Sequence, residues 1–193
     1  MAIFIFNNTK EIRKNKQELE RALKLKITIE GKKVTTSGDP MKDYEASIVL
    51  DAINFGFSAR KALVLLDPTM QFKLLNIKKF TRKSRLKDAR SRIIGTEGKT
   101  KRAIENICNC DIVISENEVG IIAPGDSIEE TVTGIINMIK GSKQGNVYAF
   151  LEKMNSRRKL YGDDLGLKIK DKRTLDNPQE EYSEDNYTED EEE

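Results

Sequence analysis

The chain has no histidine, no tryptophan, two cysteines and four prolines among its 193 residues. Each scarcity excludes a class of function. Without imidazole there is no Ser-His-Asp or Cys-His nucleophile pair and no histidine metal site. Cys108 and Cys110 alone make neither a cysteine-rich zinc site nor a disulfide framework. They fit a reducing, cytoplasmic setting. No run approaches the roughly 18 apolar residues that cross a bilayer, and the opening MAIFIFNNTK lacks the basic start and long apolar core of a signal peptide. No group of Asp and Glu before residue 176 has the spacing that a metal-dependent nuclease needs. Neither an enzyme nor a cofactor is expected, and no membrane partner.

Basic residues are missing from the last stretch of chain. Asp176–Glu193 carries ten acids and no Lys or Arg. The net charge of +2, from 34 basic and 32 acidic residues, therefore hides two opposite parts. Without those ten acids, 34 basic residues face 22 acidic ones, and residues 1–175 carry +12. The tail has no hydrophobic pattern and reads as disordered. It can compete with a polyanion for the basic body.

The body reads as alternating short strands and helices, an α+β fold. Ala2–Phe6 is an apolar strand, and Lys10–Ala22 a single charged helix. Leu25, Ile27 and Ile29 alternate with polar residues as in a half-buried strand. Gly31-Lys32 turns into a strand at Lys33–Ser37. Asp39-Pro40 opens a helix, with Asp as N-cap and Pro in the first turn, and its apolar face is read as Met41, Tyr44, Ile48 and Ala52. Gly56 ends it, and Ser58–Leu66 forms a short helix. The order then recurs: a strand at Gln71–Phe80, a helix capped by Ser84, an interruption at Gly95–Gly98, and a helix over Lys99–Cys108. Strands follow at Ile112/Ile114 and Val119–Ala123, with Asn117-Glu118 at the turn. Ser127 and Glu130 read as a capping box before the stripe Ile128, Val132, Ile135, Ile139. A last helix covers Asn146–Leu160, where Tyr148 and Phe150 read as packing. The strands of the two halves pair at an offset of 85 residues and the Gly-Asp helices at 87, so the joint order predicts an internal duplication.

Positive charge concentrates between Lys78 and Arg102, where eleven basic residues face two acids, Asp88 and Glu97. Such density favours a polyanion, because each phosphate neutralised releases condensed counterions. The Gly95/Gly98 spacing decides nothing alone, since about 0.7 such pairs arise by chance in this composition. Its setting decides. Glycine lets backbone approach a sugar-phosphate chain and permits positive φ. The helix that starts there turns its free N–H groups toward phosphates.

The run Arg92–Thr100, R-I-I-G-T-E-G-K-T, continued by Ala103-Ile104-Glu105, resembles the I-G-x-x-G-K-T core of a KH domain, whose GXXG loop clamps four nucleotides. Together with Gly56–Asp67 (GFSARKALVLLD) and Gly145–Lys153 (GNVYAFLEK), it resembles the archaeal members of the partner-of-Nob, or Dim, family of ribosome-assembly factors, which are tandem KH proteins. The resemblance spans about residues 1–160. It implies two type I (β-α-α-β-β-α) units, a divergent one over 1–70 and one with GXXG over 71–160, followed by a flexible acidic tail over 161–193. It implies a non-catalytic protein that binds single-stranded RNA, 16S rRNA or its precursor near the 3′ end. It implies the Nob endonuclease and the alpha subunit of translation initiation factor two as partners. On this resemblance Gly95 and Gly98 close on phosphates, Thr96 and Glu97 form the tip, and Arg90, Arg92, Lys99, Lys101 and Arg102 supply charge beside Thr100. Ile94, Ile104 and Ile112 are candidates for the groove floor under the bases; Ile104 and Ile112 fit a plain core equally well.

Residues 1–30 hold no glycine, so the first half has no GXXG, and Phe6–Arg13 is read as too short for a counterpart of the helix before the loop. That half reads as a scaffold or protein contact, with Arg13, Lys14 and Lys16 leaving room for weak RNA contact. A second reading stays open: an adaptor in translation initiation that docks a protein factor rather than RNA.

Overall fold

The alternation of Leu25, Ile27 and Ile29 is realised in β2 (Lys26–Glu30), where Ile27 is fully buried and the charged residues face out. The structure, a computed structural model, describes residues 2–163. The expected acidic tail lies outside the described residues from residue 164 on. Antiparallel β1 (Ala2–Ile5), β2 and β3 (Lys33–Ser37) form a sheet of order β1-β3-β2. A second sheet of β4 (Met70–Asn76), β5 (Asp111–Ser115) and β6 (Glu118–Pro124) has the order β4-β6-β5. Phe4 and Ile29 flank Val34 in the first, as Leu75 and Ile114 flank Val119 in the second.

Helices α1 (Lys10–Lys14) and α2 (Lys16–Leu23) precede β2, and α3 (Pro40–Phe55) and α4 (Ala59–Ala62) follow β3. In the second half α5 (Leu86–Ile94) and α6 (Lys99–Cys108) precede β5, and α7 (Ile128–Lys140) and α8 (Gln144–Asp163) follow β6. Helix α8 runs three residues into the span read as tail.

The two halves share hydrogen bonds as well as order. The Glu20 carboxylate accepts from the Ile27 N–H at 2.8 Å and pairs with Lys16 at 3.8 Å. The Glu105 carboxylate accepts from the Ile112 N–H at 2.9 Å and pairs with Lys101 at 3.1 Å. Lys24 and Asn109 end α2 and α6 in the left-handed region, at φ 54° and 50°. Gly56 and Gly141 close α3 and α7, each donating its N–H to the carbonyls three and four residues back. Every one of these pairs is 85 residues apart, so the 87-residue register expected for the helices is corrected. Strand β6 is two residues longer than β3, and α7, at 13 residues against 16 for α3, starts late yet ends in the same register.

Other expectations are also corrected. The helix over Lys10–Ala22 breaks at Asn15, so the first half does hold a short counterpart of the helix before the loop. From the buried Ile12 of α1 to Lys16 is four residues, and from the buried Ile93 of α5 to Lys101 is eight. The difference is the length of the glycine-bracketed loop. Helix α3 buries Ala46, Val49, Leu50 and Ile53 with the expected Ala52, half-buries Ile48, and leaves Met41 and Tyr44 exposed. Strand β4 stops at Asn76, whose side chain accepts from the Lys78 N–H at 2.9 Å and starts a 3-10 turn. Arg85, not Ser84, stands at the N-cap of α5. The tight turn before β6 is Glu116-Asn117, with Glu116 at φ 42°. No capping box forms at α7: the Ser127 hydroxyl donates back to the Pro124 carbonyl at 3.1 Å.

Each sheet covers a core of its own, and β6 serves both. Val119, Ile121 and Ala123 face the second core, whereas Ile122 belongs to the first. Gly120 lies under Phe55 and Phe57, where a Cβ would stand 2.6 Å from the Phe55 ring. Those rings and Phe72 pack with centroids 5.8–6.3 Å apart. Lys61 on α4 bonds Asp111 at 2.6 Å, and that hydrogen bond holds the Lys61 ammonium above its ordinary pKa against the effect of burial. Gly120→Val is expected to lower stability by about 1–3 kcal/mol, the usual range for overpacking, as read by urea denaturation.

Candidate nucleic-acid interface

Helix α5 ends at Ile94 because Gly95 takes φ 71° and ψ 179° while its N–H still donates to the Ser91 carbonyl at 2.8 Å. A Cβ at Gly95 would lie 2.1 Å from Thr100 Oγ1 and 2.8 Å from the Thr100 nitrogen. Glycine is required there by space as well as by conformation. Glu97 (φ 53°) and Gly98 (φ 74°) are left-handed and turn the chain into α6. At Gly98 the atom nearest a Cβ is Arg102 Nη2, at 3.7 Å, so that glycine is required by its φ alone and the space over it is open. The N-terminus of α6 lies beside this opening, the end of a helix that favours anions, with the Lys99 N–H donating to the Thr96 carbonyl.

Beneath the loop the structure separates support from surface. Thr100, expected in the binding set, is buried at 3 % exposure, and its Oγ1 accepts from Gln144 Nε2 at 3.0 Å. It carries Gly95 from below. Ile104 and Ile112 are fully buried and belong to the core, which corrects their reading as groove floor. Ile94, at 39 % exposure, is the isoleucine left at the surface beside Gly95, and Thr96 and Glu97 form the exposed tip.

The cations divide. At 100° per residue, Arg90 and Ile94 share one flank of α5, and Arg92 lies about 160° from Ile94 on the other. Arg90 donates to the Glu116 carbonyl at 2.9 Å, tying α5 to the β5–β6 turn. Arg92 instead lies against Gly141, away from the loop. Lys101 is engaged by Glu105. At the tip, Lys99 approaches the Glu97 carboxylate at 3.6 Å and Arg102 donates to the Glu97 carbonyl. Glu97 therefore competes for the cations that a phosphate would use. Glu97→Gln is expected to tighten binding of a phosphate polymer about threefold at low salt, the scale of an exposed ion pair, with the gain fading as salt rises. Unchanged affinity in a filter-binding titration would contradict it.

Two supporting residues escaped the sequence reading. Gln144 is 44 positions from Thr100 and carries no local signal. Glu105 could have been found as the partner of Lys101 four residues earlier, a helical ion-pair spacing.

The model of the eukaryotic type KH-domain (KH-domain type I) matches residues 71–156. A KH domain-containing protein of Methanocaldococcus jannaschii is 26% identical over 160 residues, covering 80% of this chain and 70% of that one. The pre-rRNA-processing protein pno1 of Aspergillus fumigatus is 30% identical over 141 residues, covering 72% and 54%. The chain spans about half the length of such fungal relatives. Among solved structures, Dim2p of Pyrococcus horikoshii is 28% identical with a TM-score of 0.70, covering 79% of this chain and 98% of that one. The a/eIF2alpha-aDim2p-rRNA complex of the same organism gives 27% and 0.71, covering 81% and 94%. Among the described residues no helix is long and apolar enough to cross a membrane.

Proposed function

We propose that this chain, whose residues 71–156 are a type I KH domain of the Pno1 kind and whose homologues are the archaeal Dim2 proteins and the Pno1 pre-rRNA-processing proteins, binds single-stranded RNA at the 3′ end of the small-subunit rRNA or its precursor. It does so as a cytoplasmic ribosome-assembly factor without a chemical step of its own. The observation that carries this reading is the Gly95–Gly98 loop, open above Gly98 and facing the N-terminus of α6. The binding set is Ile94, Gly95, Thr96, Glu97, Gly98, Lys99, Arg102 and the Arg90 flank of α5. The bases run over Ile94, and the backbone closes on the loop amides.

The first half, over 1–70, is inferred to be a second KH-like unit without the loop, beside the unit over 71–160. The common sheet order and the Lys-Glu-Ile contacts repeated 85 residues apart support it. One feature favours a protein partner for that half: Ile3, Ile5, Met41 and Tyr44 are all more than half exposed. A relative recorded in complex with a/eIF2alpha and rRNA supports the initiation factor's alpha subunit as a partner, and the Nob endonuclease is added on the family resemblance alone.

The test is a fluorescence-anisotropy titration with a single strand of the 3′-end sequence and with its duplex, at several salt concentrations. Four clamped phosphates predict a slope of log K against log salt near −3, from about −0.7 per phosphate, and preference for the single strand. Equal affinity for the duplex, or affinity indifferent to salt, contradicts the reading.

A further inference from the structure

The eleven basic residues between Lys78 and Arg102 do not form one surface. Helix α5 splits them. On the flank away from Ile94 lies a separate hollow of about 510 Å³, walled by Lys79, Arg82, Arg85, Arg92 and Lys140, with the half-buried ring of Phe80 among them. These cations come from three places: the turns that link β4 to α5, helix α5 itself, and the end of α7. No acid lines the hollow. Among the described residues no carboxylate pairs with any of the five, whereas Lys61, Lys73, Lys99 and Lys101 all have acidic partners.

The hollow is also built rather than accidental. Ile77, fully buried, pins the segment that carries Lys79, and its N–H donates to the Asn117 carbonyl at 2.8 Å. The Phe80 N–H closes a turn onto Ile77 and the Arg85 N–H one onto Arg82. Arg92 rests against Gly141, with Nη1 only 3.1 Å from where a Cβ would stand. Glycine at that cap thus admits the guanidinium to the C-terminal end of α7, the helix end that favours a cation.

We propose that this hollow is a second RNA-backbone site, independent of the glycine loop, which takes the phosphodiester chain of the same RNA after it has crossed α5. The inference rests on the RNA reading above. Unpaired arginines with no competing acid match a phosphate chain, which they bind bidentately, and Phe80 offers a face for one base. The distance fits: a helix with its side chains is about 10–12 Å across, so a strand longer than the four nucleotides clamped at a KH loop reaches both flanks. Short oligonucleotides therefore use the loop alone.

The experiment compares the full chain with its R82A/R85A/R92A variant against two probes, a 20-nucleotide strand of the 3′-end sequence and a tetranucleotide drawn from it. All three side chains are exposed, and a thermal melt confirms that the variant folds. The expected result is about tenfold weaker binding of the long strand, with its salt slope shallower by about 2 for three lost phosphate contacts, and unchanged binding of the tetranucleotide. Undiminished long-strand binding overturns the proposal, and an acidic protein partner is then the better occupant. Equal loss for both probes overturns it too, because the arginines then act through the loop. If the wild type ignores the tetranucleotide but the variant still loses the long strand, the hollow stands and the loop reading falls.

Discussion

Gly98→Asp should weaken single-stranded RNA binding by about 100-fold or more, about 2.7 kcal/mol, while the melting temperature changes little. The two halves of that expectation come from different features. Stability is spared because nothing approaches a Cβ at Gly98 closer than 3.7 Å, and Asp is among the side chains that tolerate the left-handed region. Binding is lost because the new carboxylate stands at the opening beside the N-terminus of α6, where a phosphate has to sit. It also draws on the Arg102 guanidinium, the group nearest that position. Paired measurements of anisotropy and thermal melting check it. A variant that binds RNA as the wild type does would remove the loop from the account.

Gly95→Ala should do the opposite, costing about 2–4 kcal/mol of stability, in the range of a severe packing fault. One methyl group would enter at 2.1 Å from Thr100 Oγ1. Thr100 has nowhere to go, since it is buried and its hydroxyl is bonded to Gln144. The positive φ of Gly95 adds roughly 1–2 kcal/mol for any L side chain. Urea denaturation reads the loss. Near-wild-type stability would mean that Thr100 and Gln144 yield freely and that Gly95 is not held from below. The two glycines look alike in the sequence, and only their surroundings show that Gly98 is open to a ligand while Gly95 is also needed for folding.

That contrast shows how far the residue order alone could be read. The strand at Ile27 and Ile29 was legible because its apolar residues alternate with polar ones, and alternation has one structural meaning in a sheet with one buried face; at Ile112 and Ile114 the residue between is Val113, which packs on the other core. Asp39-Pro40 was legible because both residues act locally: Asp39 accepts from the Met41 N–H at 3.4 Å and Pro40 occupies the first turn. Ser127 and Glu130 looked like a similar local signal but failed. Ser127 sits at φ −115° and ψ −10° rather than in extended backbone, so its hydroxyl turns back to Pro124. Helix α3 misled in part because apolar residues lie around most of it, and spacing from Met41 picked a stripe that starts in solvent at Met41 and Tyr44 and reaches the core only at Ala52. Asn15 gave no warning of a break because neither glycine nor proline marks it.

The candidate site shows the same division. Its loop and its charge were legible as motif and composition. The depth of Thr100, Ile104 and Ile112 was not, because the periodicity of a helix or a strand places residues on a face without saying whether bases or a core cover that face. The separation of Arg90 from Arg92 follows from helix geometry once the helix bounds are known, yet the eleven cations read as one cluster along the chain.

The most direct measurement is a backbone amide NMR titration of the full chain with a single-stranded tetranucleotide of the 3′-end sequence. The account predicts shift changes concentrated at Gly95–Arg102, with smaller ones at Arg90 and Ile94. It predicts none at Asn15, the place in the first half where the loop is missing. Changes centred on α1 and α2, or an undisturbed Gly95–Gly98 loop under saturating RNA, would contradict it.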